Sequence, residues 1–176
     1  MIRLEYFGKE DFDQLIQWVN TEELLTIWAG GLFRFPLTHR SLEWYIEDTN
    51  VMPGSEAYSY KAIDESNRVV GHISLGGISE KNRSARITRV LVGDGERGKG
   101  FCHQMVTALL EIGFGELKLH RISLGVYDNN PSAVKCYEKS GFRTEGVHRD
   151  VLFFEGKYWS MVEMAILENE WRSLPA

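Results

Sequence analysis

The chain has 176 residues, a formal net charge of −5, and 43% apolar against 26% charged side chains. This composition is typical of one globular domain and excludes a wholly disordered chain, which needs low hydrophobicity and high net charge. The acidic balance argues against a nucleic-acid-binding protein, and no apolar run reaches the ~20 residues that would span a membrane.

The charges are unevenly distributed along the sequence. Residues 1–60 carry 4 basic and 10 acidic side chains, whereas residues 61–150 carry 14 and 11. The middle of the chain is therefore suited to an anion and its beginning to a cation. Because the first ten residues lack the apolar segment of a secretory signal, we expect a cytoplasmic protein. Cys102 and Cys136 do not make a disulfide framework or a metal cage, and we expect no metal.

The first third of the chain predicts one strand followed by three helices. Residues 2–7 alternate like a strand, and residues 10–19 place apolar side chains at helical spacing. Thr21 and Thr38 are candidate N-caps of two further helices. The aromatic segment 28–37 is predicted to be the loop between them.

Strands dominate the next part of the chain. Residues 57–75 predict a hairpin, and residues 84–92 predict a third strand with an apolar end. The glycine-rich loop 93–100 then leads into a helix with one apolar face, which we expect Gly113 and Gly115 to end.

The last part of the chain alternates strand and helix and closes with a hairpin. A strand is predicted over 120–127, a helix from Pro131 to Ser140, and two long strands over 142–154 and 158–167. This order predicts a mixed α/β (α+β) fold. Its central sheet would be mostly antiparallel, flanked by helices, in a single domain over residues 1–176.

The loop 93–100 is suited to a phosphate or pyrophosphate. Its glycines leave backbone N–H groups unobstructed, and it precedes the positive end of a helix dipole. The G-x-G-x-x-G pattern of dinucleotide sites is satisfied, but the acidic Glu116 falls before the next strand instead of at its end. A P-loop fails at Gly100, where Ser or Thr must bind Mg²⁺. A plain flexible connection would not need four glycines together with Arg97 and Lys99.

Two segments about 30 residues apart resemble the GNAT acetyltransferase superfamily. The first resembles the family's [Q/R]-x-x-G-x-[G/A] signature, which holds the pyrophosphate of acetyl-CoA, and consists of Arg97, Gly98, Lys99, Gly100, Phe101 and Cys102. Cys102 departs from the usual Gly or Ala but is still small. The second resembles N-x-x-A-x-x-x-Y-x-x-x-G-F, with Asn130, Ala133 and Tyr137. The closing hairpin resembles the branch that includes ribosomal-protein N-terminal acetyltransferases.

The resemblance implies an N-acetyltransferase that moves an acetyl group directly from acetyl-CoA to a primary amine. Val90, Leu91 and Val92 would bind the pantetheine arm, and the N–H of Leu91 or Val92 would polarise the thioester carbonyl. Tyr137 would protonate the leaving thiolate, and Asn130 would hydrogen-bond the pantetheine or the helix start. The acceptor would be a small-molecule amine or a peptide N-terminus, and the protein a possible homodimer.

The sequence does not identify a general base. Many family members carry a glutamate where this chain has Arg86, and an arginine cannot act as a base. Other residues that could act as the general base are Glu23, His72, His148 and Asp150. The missing carboxylate leaves open an acyl-CoA-binding sensor that has lost catalysis. By family analogy, aromatic residues would line the acceptor side, namely Trp28, Phe33, Phe35, Trp44 and Tyr45.

Overall fold

The computed structural model describes residues 1–51 and 54–175, which form a seven-stranded sheet with helices on both faces. The strands are β1 (Arg3–Tyr6), β2 (Tyr58–Ile63), β3 (Val69–Ser79), β4 (Ser84–Val92), β5 (Arg121–Tyr127), β6 (Arg143–Phe154) and β7 (Lys157–Leu167). The helices are α1 (Phe12–Trp18), α2 (Glu22–Ala29), α3 (His39–Ile46), α4 (Phe101–Leu110), α5 (Pro131–Lys139) and α6 (Glu168–Arg172).

The sheet has the order β1-β2-β3-β4-β5-β7-β6. Its neighbouring strands are antiparallel except β4 and β5, which run parallel. The predicted fold class, a mixed and mostly antiparallel sheet flanked by helices, is confirmed. The parallel pairing covers only a small part of β4 and β5, because it joins only Ser84–Arg86 to Arg121–Ser123.

Each face of the sheet is covered by its own group of helices. Helix α4 packs Met105, Val106 and Leu109 against one face, and all three side chains are fully buried. These residues follow the helical spacing i, i+1, i+4 on the apolar face that the sequence predicts. Helices α1, α2 and α3 cover the other face around Leu15 and Leu42. The central strands are therefore enclosed on both sides.

The predicted helix starts are confirmed by their caps. The Thr21 hydroxyl accepts a hydrogen bond from the Leu24 amide at 3.1 Å, and the Thr38 hydroxyl accepts one from the Ser41 amide at 3.2 Å. Each cap satisfies one of the amides that a helix leaves without an internal partner. Within the described residues, no helix has the length and apolar character needed to cross a bilayer.

The predicted end of the fourth helix is wrong. The helical conformation does not end at Gly113 but continues through a π-helical turn over Glu111–Glu116. A Cβ at Gly113 would collide with Ile122, so the glycine serves close packing of this turn on β5 instead of helix termination. The short helix α6 was also missed, because five mostly polar residues carry no helical periodicity.

Candidate active site

A gap opens between β4 and β5 halfway along the sheet. The two strands stop pairing after Arg86 and Ser123. Beyond this point β4 stays bonded to β3, and β5 stays bonded to β7 as far as Tyr127. The β4–β5 gap, between residues 87–92 and residues 124–127, therefore exposes the edges of two strands inside one sheet.

The strand register shows which amides face the β4–β5 gap. The Gly93 amide donates to the Val70 carbonyl on β3 at 2.8 Å. Consecutive residues of an extended strand direct their N–H and C=O groups to opposite sides. The N–H and C=O of Val92 therefore point away from β3 and into the gap. Of the two amides that the sequence offered, Leu91 and Val92, this register favours Val92.

The glycine-rich loop lies at the end of β4, where it leads into α4. Gly95, Gly98 and Gly100 have φ of +75°, +79° and +81°, a region that side chains disfavour. A Cβ built on any of them would meet nothing within 4 Å. Helix α4 starts after Gly100 without a side-chain cap. The loop thus presents backbone N–H groups and a helix dipole to open space, which fits the diphosphate of coenzyme A.

Two exposed cations stand on this loop. Lys99 pairs with Glu96 at 2.8 Å, and Glu96 also contacts Arg68 at 3.1 Å. The Lys99 ammonium holds the pKa of the Glu96 carboxyl below its usual range. In the described part of the chain Arg97 has no ion-pair partner. Arg97 and Lys99 are therefore both placed to contact a phosphate.

Tyr137 lies on α5, which follows β5 by way of a short turn. The Asn130 side chain caps this helix by accepting from the Ala133 amide at 3.3 Å. The Tyr137 ring is 6% exposed and packs edge-on against Phe142. Burial raises the pKa of the phenol above its usual value. The hydroxyl is protonated at neutral pH, as an ordinary phenol also is, and the raised pKa makes it a weaker proton donor.

A disulfide joins the two predicted motifs. It links Cys102, in the first turn of α4, to Cys136, which directly precedes Tyr137 on α5. The expectation that these cysteines would form no disulfide framework is wrong. Helices α4 and α5 bring them together across a separation of 34 residues, which sequence spacing does not reveal. Across residues 1–51 and 54–175, no three His, Cys, Asp or Glu side chains are grouped to hold a metal.

An ion pair occupies the closed end of the β4–β5 gap. The Arg86 guanidinium makes a two-pronged contact with Glu163 on β7, including Nη2 to Oε2 at 2.8 Å. Arg86 also reaches the Ser123 hydroxyl at 3.3 Å. Glu163 was missed because the residues it meets are far away in sequence.

The four base candidates from the sequence are not brought together. Glu23 is exposed on α2, and His148 and Asp150 are exposed on β6. His72 is buried on β3, and burial, with Arg89 nearby, lowers its pKa to about 3. A histidine with this pKa accepts a proton from an alkyl ammonium very poorly.

Aromatic residues cover the gap from the side of α2 and α3. The Trp28 ring stacks on Phe33 at 5.8 Å, and Phe33 meets Tyr45 edge-on at 5.9 Å. The other two predicted members, Trp44 and Phe35, are largely exposed. The end of α2 also reaches β5, as a Cβ at Gly30 would lie 3.1 Å from the Tyr127 hydroxyl.

Residues 2–143 match the family profile described as an acetyltransferase (GNAT) domain, and the chain belongs to that family. The family, the fold class and the N-acetyltransferase class predicted from the two motifs are therefore confirmed.

The chain is similar to a spermidine N(1)-acetyltransferase of Vibrio cholerae, with 32% identity over 108 residues. The match covers 61% of this chain and 62% of that enzyme. A putative ribosomal N-acetyltransferase of Bacillus subtilis is 32% identical over 101 residues, or 57% of this chain and 55% of that one. The crystal structure of spermidine N-acetyltransferase from Vibrio cholerae in complex with CoA and spermine superposes with a TM-score of 0.84. It has 25% identity and 98% coverage of both chains.

Proposed function

We propose that the protein transfers an acetyl group from acetyl-CoA directly to the primary amine of a small acceptor. The observation that carries this proposal is the β4–β5 gap, which runs from an open strand edge to an uncapped, glycine-lined helix start. A pantetheine arm needs hydrogen-bonding edges, and a diphosphate needs N–H groups and cations. The β4–β5 gap supplies the hydrogen-bonding edges, and the adjoining loop supplies the N–H groups and the cations.

Each part of the donor has residues suited to hold it. The diphosphate would be held by the loop and the first turn of α4, that is by Arg97, Gly98, Lys99, Gly100, Phe101 and Cys102. The pantetheine would lie along Val90, Leu91 and Val92, with Asn130 and Ala133 at the start of α5.

The chemistry needs a polarised carbonyl and a protonated leaving group. When bound, acetyl-CoA supplies an activated thioester. The Val92 N–H donates a hydrogen bond to the carbonyl oxygen, and such a donor contributes about 3 kcal/mol to transition-state stabilisation. The Tyr137 hydroxyl would then give its proton to the departing sulfur, and the proton that the amine nitrogen loses on forming the amide would restore the phenol. While the disulfide is closed, neither Cys102 nor Cys136 is free to carry the acyl group.

The amine must reach the site in its neutral form. Arg86 is a cation, and Glu163 is held by its ion pair, so neither is a free base. An α-amino group with pKa ~7.8 is roughly a third neutral at pH 7.4, whereas an alkyl amine with pKa ~10.4 is about 0.1% neutral. This difference favours an acceptor with a weakly basic amine, for which a peptide N-terminus is the clearest case and a free amino acid is intermediate.

A thiol-release assay with acetyl-CoA and a panel of amines, peptides, polyamines and aminoglycosides tests the proposal. We expect coenzyme A to appear only in the presence of an acceptor, with one acetyl amide formed for each thiol released. The missing carboxylate on β4 favours one other function, an acyl-CoA-binding sensor without catalysis. Tight acetyl-CoA binding without thiol release on any acceptor would establish the sensor.

We propose a homodimer that associates through β6, at the edge of the sheet. Val147, Val151 and Phe153 on this strand are each at least half exposed. An unpaired apolar edge strand is a common contact between copies of a chain. Light scattering should give twice the monomer mass, and Phe153→Lys should shift it towards one chain.

We place the protein in the cytoplasm, because acetyl-CoA is made and used inside cells. Glutathione there keeps most thiols reduced, so assays should cover both states of Cys102 and Cys136. Fractionation that finds the protein outside the cytoplasm would contradict this location.

A further inference from the structure

Arg89 is an unpaired cation on the part of β4 that lines the β4–β5 gap. Its φ of +54° is left-handed, and its carbonyl accepts a hydrogen bond from the Trp28 indole at 2.9 Å. Its Nε is buried without a hydrogen-bond partner, while the side chain as a whole is partly exposed. Part of this residue is therefore accessible to a ligand.

The groups that face Arg89 are neutral. Burial raises the pKa of Tyr45 and lowers that of His72. The positive charge of Arg89 is near enough to both groups to lower each pKa somewhat. The Tyr45 hydroxyl meets His72 Nε2 at 3.1 Å, and His72 Nδ1 is buried without a partner. No described carboxylate forms an ion pair with Arg89. A partly buried cation without a counter-charge is unfavourable, so an anionic ligand group would complete this site.

We propose that Arg89 binds a carboxylate of the acceptor, so that the preferred acceptors are free amino acids with apolar or aromatic side chains. This inference rests on the proposed acetyl transfer. Residues 89 and 92 are at most about 11 Å apart, because three extended residues span that length and the left-handed φ of Arg89 shortens it. The arginine side chain and an amino acid together bridge this distance. The aromatic rings of Trp28 and Phe33 offer a surface for the acceptor side chain. The α-amino group of a free amino acid is also less basic than a simple alkyl amine, although more basic than a peptide N-terminus.

Acceptors that differ only by the carboxylate test the inference without mutation. Phenylalanine is compared with phenethylamine, lysine with cadaverine, and both pairs with spermidine. We expect kcat/KM to be about 10- to 100-fold higher for the member of each pair that carries the carboxylate. Equal values within the pairs, or the highest value for spermidine, would overturn the inference while leaving acetyl transfer established.

Variants of Arg89 locate the effect. Arg89→Gln should bring the ratio for phenylalanine over phenethylamine close to one, mainly through a higher KM for phenylalanine. Arg89→Lys keeps the charge without the two-pronged geometry and should retain part of the ratio. Arg3→Gln, on the distant edge strand β1, is the control and should keep the wild-type ratio. A wild-type ratio in Arg89→Gln contradicts the assignment.

Calorimetric titration of phenylalanine into the protein with CoA separates this inference from the proposed function. Binding to the wild type that Arg89→Gln loses, without thiol release on any amine, supports the Arg89 site and rejects acetyl transfer. No binding of phenylalanine together with no turnover rejects both. Turnover of amines with phenylalanine binding unchanged in Arg89→Gln rejects the Arg89 site alone.

Discussion

Burial shifts the pKa values of two aromatic side chains, Tyr137 and His72. Tyr137 and His72 are both almost fully enclosed, and enclosure disfavours the charged form of each. The pKa of the phenol therefore rises and that of the imidazole falls. At neutral pH the first keeps a proton that it can donate, and the second is a neutral hydrogen-bonding group.

Replacing Tyr137 by Phe tests the proton donor. We expect kcat to fall about 10²-fold or more, because the thiolate loses its general acid while the ring and its packing are kept. Steady-state kinetics from pH 6 to 10, with acetyl-CoA binding measured alongside, provide the readout. Tyr60→Phe is the matched control, since Tyr60 is also 6% exposed but lies on β2. Unchanged turnover in Tyr137→Phe would show that another group protonates the sulfur.

Helices α4 and α5, which carry the two motifs, begin in different ways. Helix α4 starts on a glycine in the left-handed region, and α5 starts on a capped proline turn. The first arrangement leaves amides open for a ligand, whereas the second satisfies its own amide. The two helices are then joined by the Cys102–Cys136 disulfide and by the His103 ring, which bonds the Ser140 hydroxyl at 2.8 Å.

A Cβ at the start of α4 should weaken donor binding. Gly100→Ala adds a methyl group where the loop faces open space, and its φ of +81° adds about 1–2 kcal/mol of backbone strain. We expect the Kd of acetyl-CoA to rise about tenfold. Gly156→Ala has nearly the same φ, +79°, and the same open surroundings in the β6–β7 turn. It should lose similar stability but bind acetyl-CoA normally; an equal loss of affinity would point to stability alone.

Opening the disulfide should lower the free energy of unfolding. Cys102 and Cys136 close a loop of 34 residues, and a loop of this length corresponds to about 3–4 kcal/mol of restricted unfolded-chain entropy. Urea unfolding with and without a reductant measures the difference. The Cys102→Ala/Cys136→Ala double variant should match the reduced protein and be insensitive to reductant. Identical curves for oxidised and reduced wild type would mean that the bond does not form in solution.

The buried histidine makes the free energy of unfolding of the whole protein depend on pH. In the unfolded chain His72 takes up a proton near pH 6.5, but in the folded protein its pKa is about 3. Between these values the unfolded state binds more protons, so stability rises with pH and is lost on acidification. The contribution of His72 should fall by about 2 kcal/mol between pH 7 and pH 5.

Urea unfolding of the wild type and His72→Leu at both pH values measures this contribution. The carboxyl groups whose pKa values are lowered, such as Glu96 and Glu168, titrate below this window. They affect both proteins equally. We expect the wild type to lose about 2 kcal/mol more than the variant on acidification. An equal loss would show that His72 is accessible to protons in the folded state.

The sequence was sufficient wherever the physical cause is local. Thr21 and Thr38 mark helix starts because a cap bonds an amide three residues away. The glycines of residues 93–100 predict a ligand loop because positive φ is a property of single residues. Gly113 led to a wrong prediction of a helix end, because its role is close contact with Ile122, a residue on another element.

By itself the sequence determined the fold class and the family and indicated a loop suited to a phosphate, because these depend on periodicity, caps and short motifs. The tertiary structure alone decided that Arg86 is paired with Glu163, that Cys102 meets Cys136, and that the buried Nε of Arg89 lacks a hydrogen-bond partner among the described residues. The physical reason is that charge pairing, bond formation and burial depend on distance in space, which strand order and helix packing set.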